Sequence, residues 1–275
     1  MKLATIVSGS ATVAARVEDD SVIELDAIDL GALLQRADWR AAATSSAGRV
    51  HQPGQVRFAP LVIAPSKILC VGLNYLDHIR ETKLDEPAYP TLFTKFAATL
   101  SGANDDILLP SCSDMVDWEA ELAFVVGRRA RHVSEEDALD HIAGFTVLND
   151  VSVRDWQRRT SQWDQGKNFE STTPIGPVLV TPEDCGDAAD LRISCSVDDV
   201  VVQDSRTSQL LFTPAALLNY VSTFTTLEPG DVISTGTPGG VGGSRTPPVF
   251  LRAGQVLETT VEGVGTCRNL CVAAS

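Results

Sequence analysis

The sequence predicts an α+β protein in which strands outnumber helices. Short segments rich in Val, Ile and Thr recur along the chain, and most are bounded by Gly, Pro or Asp. Helical spacing of apolar residues is confined to a few segments, and the alternation of strand and helix that marks a doubly wound sheet is missing. We therefore predict a mixed β-sheet core with few helices and a small N-terminal β domain.

The composition narrows the class of function. The chain has 275 residues and a formal net charge of −14, with acidic residues spread along its length. Binding to nucleic acid or to an anionic membrane surface needs clustered Lys and Arg, so neither is expected. No apolar run reaches the ~18 residues of a membrane span, and the first 20 residues do not resemble a signal peptide. The expectation is a soluble, acidic protein of the cytoplasm.

The six cysteines indicate neither a disulfide framework nor a zinc site. They are sparse, no Cys-x-x-Cys motif occurs, and the four histidines are dispersed. Cys267 and Cys271 have equal parity in the final predicted strand, so their side chains share one face. We interpret them as small buried hydrophobic residues.

Residues 1–62 form the predicted N-terminal domain. Its strands are MKLATIV, TVAARVE and SVIELDA, followed by a helix in LGALLQRADWRAAATS. The polar segment RVHQPGQVRFAP is typical of a connector. The second unit, residues 66–275, opens with a buried strand that leads into a loop at residues 72–74.

The second unit is predicted to be rich in strands and to contain two helices. Ser134 is a plausible N-cap for SEEDALDHI, and Thr213 with Pro214 begins a second helix in TPAALLNYVSTF. The predicted strands have the sequences KILCVGLNY, EAELAFVVG, HIAGFTVLND, GPVLV, LRISCSVDD, DVISTG, QVLETTVEG and GTCRNLCVA.

Two of these strands carry candidate metal ligands. Glu119 and Glu121 are two residues apart, so both carboxylates project from one face of a strand. The strand that ends at Asp150 brings a third carboxylate if the two strands are neighbours. Such an all-oxygen set suits Mg²⁺, Mn²⁺ or Ca²⁺. Taken alone, the Glu-x-Glu pattern also fits the alternative in which both glutamates lie on a solvent-exposed face of the strand.

A helical turn over residues 77–81 makes His78 and Glu81 neighbours at i,i+3. A carboxylate beside an imidazole orients it and raises its basicity, as a general base requires, although an incidental surface pair fits the pattern equally well.

Lys167 follows a glycine in a loop and is either a cation for an anionic substrate or an ordinary exposed lysine. The glycine-rich loop at residues 234–243 lacks the Lys-Ser/Thr of a phosphate-binding loop, so it fits better as a tight turn beside a ligand.

Taken together, these segments resemble the fumarylacetoacetate hydrolase (FAH) family from about residue 66 to the end of the chain. The resemblance rests on eight motifs in family order, with small departures at Phe96 and Gly239. They are GLNYLDHIRE, FTKF, SGANDDILLP, DWEAELAFVVG, GFTVLNDVSVRDWQ, GKNFE with TPIGP, LEPGDVISTGTPGGVG and VEGVGTCRN.

The resemblance implies an FAH-type fold and a role for each site residue. One divalent cation, Mg²⁺ or Mn²⁺ with Ca²⁺ as an alternative, is held by Glu119, Glu121 and Asp150. The catalytic residues are His78 and Glu81, which activate water, and Lys167. Substrate contacts are expected from Lys167, from Gln157 and Thr237, and from Arg80, which lies within the dyad motif but matches no family position.

The reaction expected from the resemblance is metal-dependent hydrolysis of a C–C bond in a 2,4-dioxo acid. An acylpyruvate such as fumarylpyruvate would give pyruvate and a carboxylic acid. The alternatives on the same site are decarboxylation of an oxaloacetate-type 2-oxo acid and isomerisation of a 2-hydroxy-dienedioate. A non-catalytic binding protein is disfavoured because both the metal triad and the His–Glu dyad are intact. The expected partners are a small oxo acid and a second copy of the chain in a homodimer.

Overall fold

The strand-rich α+β architecture is confirmed in a computed structural model that describes residues 1–44, 46–82 and 85–274. The strands are β1 (Lys2–Ser8), β2 (Ala11–Val17), β3 (Val22–Glu24), β4 (Val50–His51), β5 (Arg57–Phe58), β6 (Ile68–Gly72), β7 (Thr91–Lys95), β8 (Leu100–Gly102), β9 (Ile107–Leu109), β10 (Val116–Asp117), β11 (Ala120–Val126), β12 (Ile142–Asn149), β13 (Ser152–Val153), β14 (Thr173–Val180), β15 (Arg192–Val197), β16 (Val200–Arg206), β17 (Val232–Ser234), β18 (Val256–Val261) and β19 (Gly265–Ala273). The helices are α1 (Leu30–Leu34), α2 (Trp39–Ala43), α3 (Leu76–Thr82), α4 (Arg154–Gln157), α5 (Asp164–Lys167), α6 (Pro182–Cys185) and α7 (Pro214–Phe224).

Most strands lie in one large mixed sheet. Its order is β4-β3-β2-β1-β14-β12-β11-β17-β6-β7, with β5 paired to β1 and β8 paired to β14. The strands of residues 1–58 therefore continue the sheet of the larger unit, because β1 pairs with both β2 and β14. A second sheet has the order β16-β15-β18-β19-β9.

The centre of the large sheet is buried on both faces. In β11, Leu122 and Phe124 belong to the same apolar cluster as Leu257 of the second sheet, whereas Ala123 and Val125 belong to a cluster that contains helix α1. Burial on both faces explains why β11 and β12 are nearly continuous apolar runs with no polar alternation. The few polar residues at the ends of these strands are therefore enclosed by the same layers.

Two predicted helices differ from the observed elements. The segment after Ser134 forms only a 3₁₀ turn, Ala138–His141, and the Ser134 hydroxyl bonds the Asp137 carboxylate. The segment at residues 30–45 is split into α1 and α2, and Ser45 lies outside the described residues. The segment after Ser134 offers few apolar residues for packing, with only Ala138 buried in the turn, and a short helix gains most of its stability from such packing.

The start of α7 agrees with its prediction. Thr213 accepts a hydrogen bond from the N–H of Ala216, and Pro214 occupies the first turn.

Cys267 and Cys271 are both fully buried on one face of β19, also as predicted. Within the described ranges, no helix is long and apolar enough to cross a membrane.

Candidate active site

Three carboxylates meet at one end of the two central strands. Glu119 immediately precedes β11, Glu121 is its second residue, and Asp150 immediately follows β12. The strands are antiparallel neighbours with Ala120 opposite Asn149, which is the condition for the convergence predicted from the sequence. The three residues each offer an oxygen within 4.8 Å of the others, and all three are buried. The alternative of a solvated face is therefore wrong.

Three cations surround this carboxylate cluster of Glu119, Glu121 and Asp150. The Lys167 ammonium lies 2.7 Å from both Glu119 Oε2 and Asp150 Oδ2. Lys95 donates to Asp150 Oδ1 at 2.6 Å, and Arg154 donates to Glu119 Oε1 at 2.6 Å. Because all these groups are buried, each ion pair acts in a medium of low polarity and fixes the geometry of its partners.

The pKa values of the two glutamates in the Glu-x-Glu pair are shifted in opposite directions. Burial opposes ionisation of Glu119, but Lys167 and Arg154 overcome it and lower its pKa to about 2. Burial raises the pKa of Glu121 well above its usual range, and the charges of Asp150 and Glu119 raise it further. Glu121 accepts hydrogen bonds from the Ser234 hydroxyl and from the N–H of Gly236 at 3.0 Å, which do not compensate.

A divalent cation fits this donor set. Among the described residues, Glu121 forms no ion pair, whereas the other two members of the cluster each contact at least one cation. Carboxylate oxygens are the ligands that Mg²⁺, Mn²⁺ and Ca²⁺ prefer. A cation held by Glu119, Glu121 and Asp150 would supply the charge that Glu121 lacks, and it would leave Glu121 ionised.

His78 and Glu81 form the predicted pair on helix α3. His78 Nδ1 lies 3.1 Å from Glu81 Oε2. Although partial burial raises the pKa of Glu81, the hydrogen bonds from His78 and from the N–H of Gly240 lower it overall. An ionised Glu81 accepts a hydrogen bond from Nδ1–H, which selects the tautomer of the neutral imidazole whose lone pair is on Nε2.

The glycine-rich loop holds helix α3 in place. Asp77 accepts hydrogen bonds from the Ser205 hydroxyl at 2.7 Å and from the N–H of Gly239 at 3.3 Å. Gly240 has φ +102°, and a Cβ there would lie 2.3 Å from the carbonyl oxygen of Val202. The close approach of this loop to β16 therefore requires glycine.

A cavity of about 390 Å³ joins the cluster to the dyad. Most of the predicted site residues are among those that line it, together with Arg154, Arg158 and Trp163, which were not predicted. The predicted residues are His78, Glu119, Glu121, Gln157, Lys167 and Thr237.

Three predicted residues are not among those that line the cavity. Asp150 is hydrogen-bonded to Lys167, and Glu81 is hydrogen-bonded to His78, so each contacts a residue that lines the cavity. Arg80 is exposed on α3, and the structure does not bring it together with the others. Its proposed substrate contact stays a prediction.

Sequence reasoning missed the buried cations that organise the cluster. Lys95 is the lysine of FTKF, and Arg154 lies in the motif that follows Asp150, but a single sequence does not reveal that either is buried. Asp117 is also fully buried, and it accepts hydrogen bonds from Arg154 Nε and from the N–H groups of Gly242 and Gly243. The signal in the sequence that could have indicated these buried charges was the presence of charged residues within otherwise apolar segments.

The fold and the cavity together define a strand-rich protein with a buried acidic candidate metal site. Comparison with known proteins specifies the class. The fumarylacetoacetate (FAA) hydrolase C-terminal family matches residues 67–272. The chain therefore belongs to the fumarylacetoacetate hydrolase family.

Individual relatives differ in the reaction that their names describe. The mitochondrial oxaloacetate tautomerase FAHD2A of Bos taurus is 46% identical over 220 residues, which cover 79% of this chain and 70% of the relative. The 2-hydroxyhepta-2,4-diene-1,7-dioate isomerase of Mycobacterium marinum is 33% identical, with a TM-score of 0.82 over 100% of this chain and 99% of the other. The fumarylacetoacetate hydrolase of Exiguobacterium antarcticum is 31% identical, with a TM-score of 0.89 and full coverage of both chains.

Proposed function

We propose that this chain catalyses keto–enol isomerisation of a small 2-oxo diacid of the oxaloacetate type. The observation that carries the proposal is that Glu119, Glu121, Lys167 and His78 line one cavity, with Asp150 held against Lys167 beside them. The names of an oxaloacetate tautomerase and a dienedioate isomerase among the relatives support isomerisation over the hydrolysis expected from the sequence. Acylpyruvate hydrolysis stays a prediction.

The cation that we propose for the cluster would be Mg²⁺ or Mn²⁺. Bound by Glu119, Glu121 and Asp150, it would act as a Lewis acid toward the 2-oxo and carboxylate oxygens of the substrate. The remaining steps depend on side chains of this chain.

His78 is the residue best suited to move a proton. Glu81 orients its ring, so that Nε2 can remove a proton from C3 of the substrate and deliver one to the oxygen at C2. The C3–H bond breaks, the electron pair forms the C2=C3 double bond, and the carbonyl oxygen gains the proton. The exchange needs no water, oxidant or other co-reactant.

Lys167 contributes charge and does not act as the base. Although burial disfavours its ammonium form, Asp150 and Glu119 raise the pKa of Lys167 above its usual value. An ammonium group held between two carboxylates remains a hydrogen-bond donor, and it stabilises negative charge where it develops on the C2 oxygen.

A second positive group favours a diacid over a monoacid. Arg158 is exposed and lines the cavity, whereas its neighbour Arg159 lies over the Trp156 ring at 3.5 Å and is not among the lining residues. Arg158 is thus available to a distal carboxylate, while a carboxylate next to the reacting carbonyl would be bound inside the cavity by Thr237.

The reaction is tested with enol-oxaloacetate in the presence of Mg²⁺ or Mn²⁺. The wild-type protein should accelerate decay of the enol absorbance without release of CO₂, and His78→Ala should not. Cleavage of fumarylpyruvate without acceleration of the enol decay would refute isomerisation and favour the hydrolase. Release of CO₂ would identify a decarboxylase.

The substrate class is tested with two neighbouring arginines. Arg158→Gln should raise KM for oxaloacetate about tenfold, as expected for loss of a charged hydrogen bond. It should leave KM for a 2-oxo monoacid unchanged. Arg159→Gln is the matched control, and an equal effect of both variants on both substrates would contradict a role for Arg158 in the recognition of diacids.

A further inference from the structure

The side chain of Gln203 connects the carboxylate cluster to the substrate side of the cavity. It is buried on β16 and makes three hydrogen bonds. Its Oε1 accepts from the N–H of Ala120, the residue between Glu119 and Glu121, at 2.9 Å. Its Nε2 donates to the carbonyl of Pro238 at 2.8 Å and to the Thr237 hydroxyl at 2.9 Å.

The orientation of this amide is fixed by two backbone groups. The N–H of Ala120 can only donate, and the carbonyl of Pro238 can only accept. Rotating the amide by 180° would place the NH₂ group against a donor and the oxygen against an acceptor. The hydrogen bond to Thr237 must therefore run from Gln203 to the hydroxyl oxygen.

The direction of that bond decides what Thr237 offers to a ligand. A hydroxyl has one hydrogen, and Thr237 uses an oxygen lone pair to accept from Gln203. Among the described residues, no other hydrogen bond of the Thr237 hydroxyl is found. Because Thr237 lines the cavity, its hydrogen is available to a group placed there.

We propose that Gln203 is a positioning residue that keeps the Thr237 hydroxyl as a hydrogen-bond donor toward an anionic substrate oxygen. The proposal rests on the proposed function in taking the substrate to be a carboxylate. Gln203 itself touches no reacting atom. It acts by donating to Thr237, so that the hydroxyl hydrogen is not directed at Gln203 and stays available to an anionic oxygen.

A double-mutant cycle with oxalate as the probe tests this role. Gln203→Glu keeps an oxygen for the N–H of Ala120, but its carboxylate would accept from Thr237 and turn the hydroxyl hydrogen away from the cavity. Gln203→Glu and Thr237→Val should each weaken oxalate binding about tenfold, and the double variant should be no weaker than Thr237→Val alone. Thr237→Ser keeps the hydroxyl and should bind oxalate like the wild type.

Calorimetry with Mg²⁺ present measures these affinities independently of any reaction. Additive losses in the double variant would show that Gln203 acts through the fold in general and would overturn the proposal. In steady-state kinetics the effect should appear in KM, with kcat nearly unchanged. A wild type that binds oxalate but does not isomerise oxaloacetate would refute the proposed function and leave this inference standing.

A neutron diffraction structure of the native protein gives a second test that does not depend on the folding of a variant. Deuterium on Thr237 Oγ1 should point into the cavity, and both deuterium atoms of the Gln203 amide should point at Pro238 and Thr237. Deuterium on Thr237 directed at Gln203 would overturn the proposal.

Discussion

The carboxylate cluster and helix α3 contribute to the same cavity but are held in different ways. The side chains of Glu119 and Asp150 are 8% and 0% exposed, and they are tied to Lys95, Arg154 and Lys167 by ion pairs of 2.6–2.7 Å. The dyad on α3 is more accessible, with Glu81 27% exposed and its bond to His78 at 3.1 Å. Under the proposed function, the buried region would bind and polarise the substrate and the accessible region would move protons, so each should fail separately.

The largest effect is expected from Asp150→Asn. The amide cannot balance Lys95 and Lys167, and breaking a buried ion pair costs about 3–5 kcal/mol. Activity should fall by more than about a thousandfold, Mg²⁺ affinity should fall with it, and the melting temperature should drop. Asp190→Asn is the control, because Asp190 pairs with Arg206 at the surface. A variant that keeps Mg²⁺ affinity would disprove the role of Asp150 as a ligand.

His78→Ala should separate the two regions. Loss of a general base typically costs about 10²–10⁴ in rate. Mg²⁺ and oxalate affinities should stay within about threefold of the wild type, because His78 pairs with Glu81 and is not one of the proposed metal ligands. Calorimetry and turnover measured on the same preparation check this. Loss of metal binding in step with activity would show that the regions are one unit.

The opposite pKa shifts of Glu119 and Glu121 predict how metal binding depends on pH. Because the pKa of Glu121 is raised, the metal-free site holds a proton at any pH below that pKa, and a bound cation must displace it. Below the pKa of Glu121, Mg²⁺ affinity should rise by up to about tenfold per pH unit. Titrations in buffers of different ionisation enthalpy would measure the released proton. A flat profile would contradict the assignment.

The same shift has a consequence for stability without metal. A carboxyl whose pKa is raised on folding contributes stability that is full below its unfolded pKa and is lost as pH rises through the folded pKa. In EDTA, the wild type should therefore lose stability relative to Glu121→Gln as pH increases, and Mg²⁺ should reverse the order. The difference between the melting temperatures of the wild type and Glu121→Gln, measured at each pH, cancels the contribution of the other titrating groups.

The smallest effect is expected where the glycine-rich loop supports α3. Gly240→Ala forces a Cβ toward the carbonyl of Val202 and should displace the N–H that bonds Glu81, lowering kcat several-fold. Gly239→Ala is the matched control, because a Cβ there meets its nearest atom at 3.6 Å. Equal effects of the two variants on kcat would indicate that the loop does not position the dyad.

Sequence patterns located the reactive groups better than they located the elements. The i,i+3 spacing of His78 and Glu81 predicts their contact, and the two-residue spacing of Glu119 and Glu121 predicts a shared face, because both rules depend only on backbone geometry. The helix after Ser134 was predicted wrongly because a good N-cap does not stabilise a segment with too little apolar surface to pack.

By itself, the sequence determined the strand-rich class, the candidate ligands and the histidine–glutamate pair, since these follow from local spacing and from motifs in order. Only the tertiary structure decided which charges meet. Lys95 reaches Asp150 across 55 residues, and Gln203 reaches Ala120 across 83. Such contacts depend on strand register and on the packing of two sheets, which local spacing does not encode. Other such contacts, from Lys167 and Arg154 to Glu119, lower the pKa of Glu119 while burial raises that of Glu121, although the two residues are nearly adjacent in sequence.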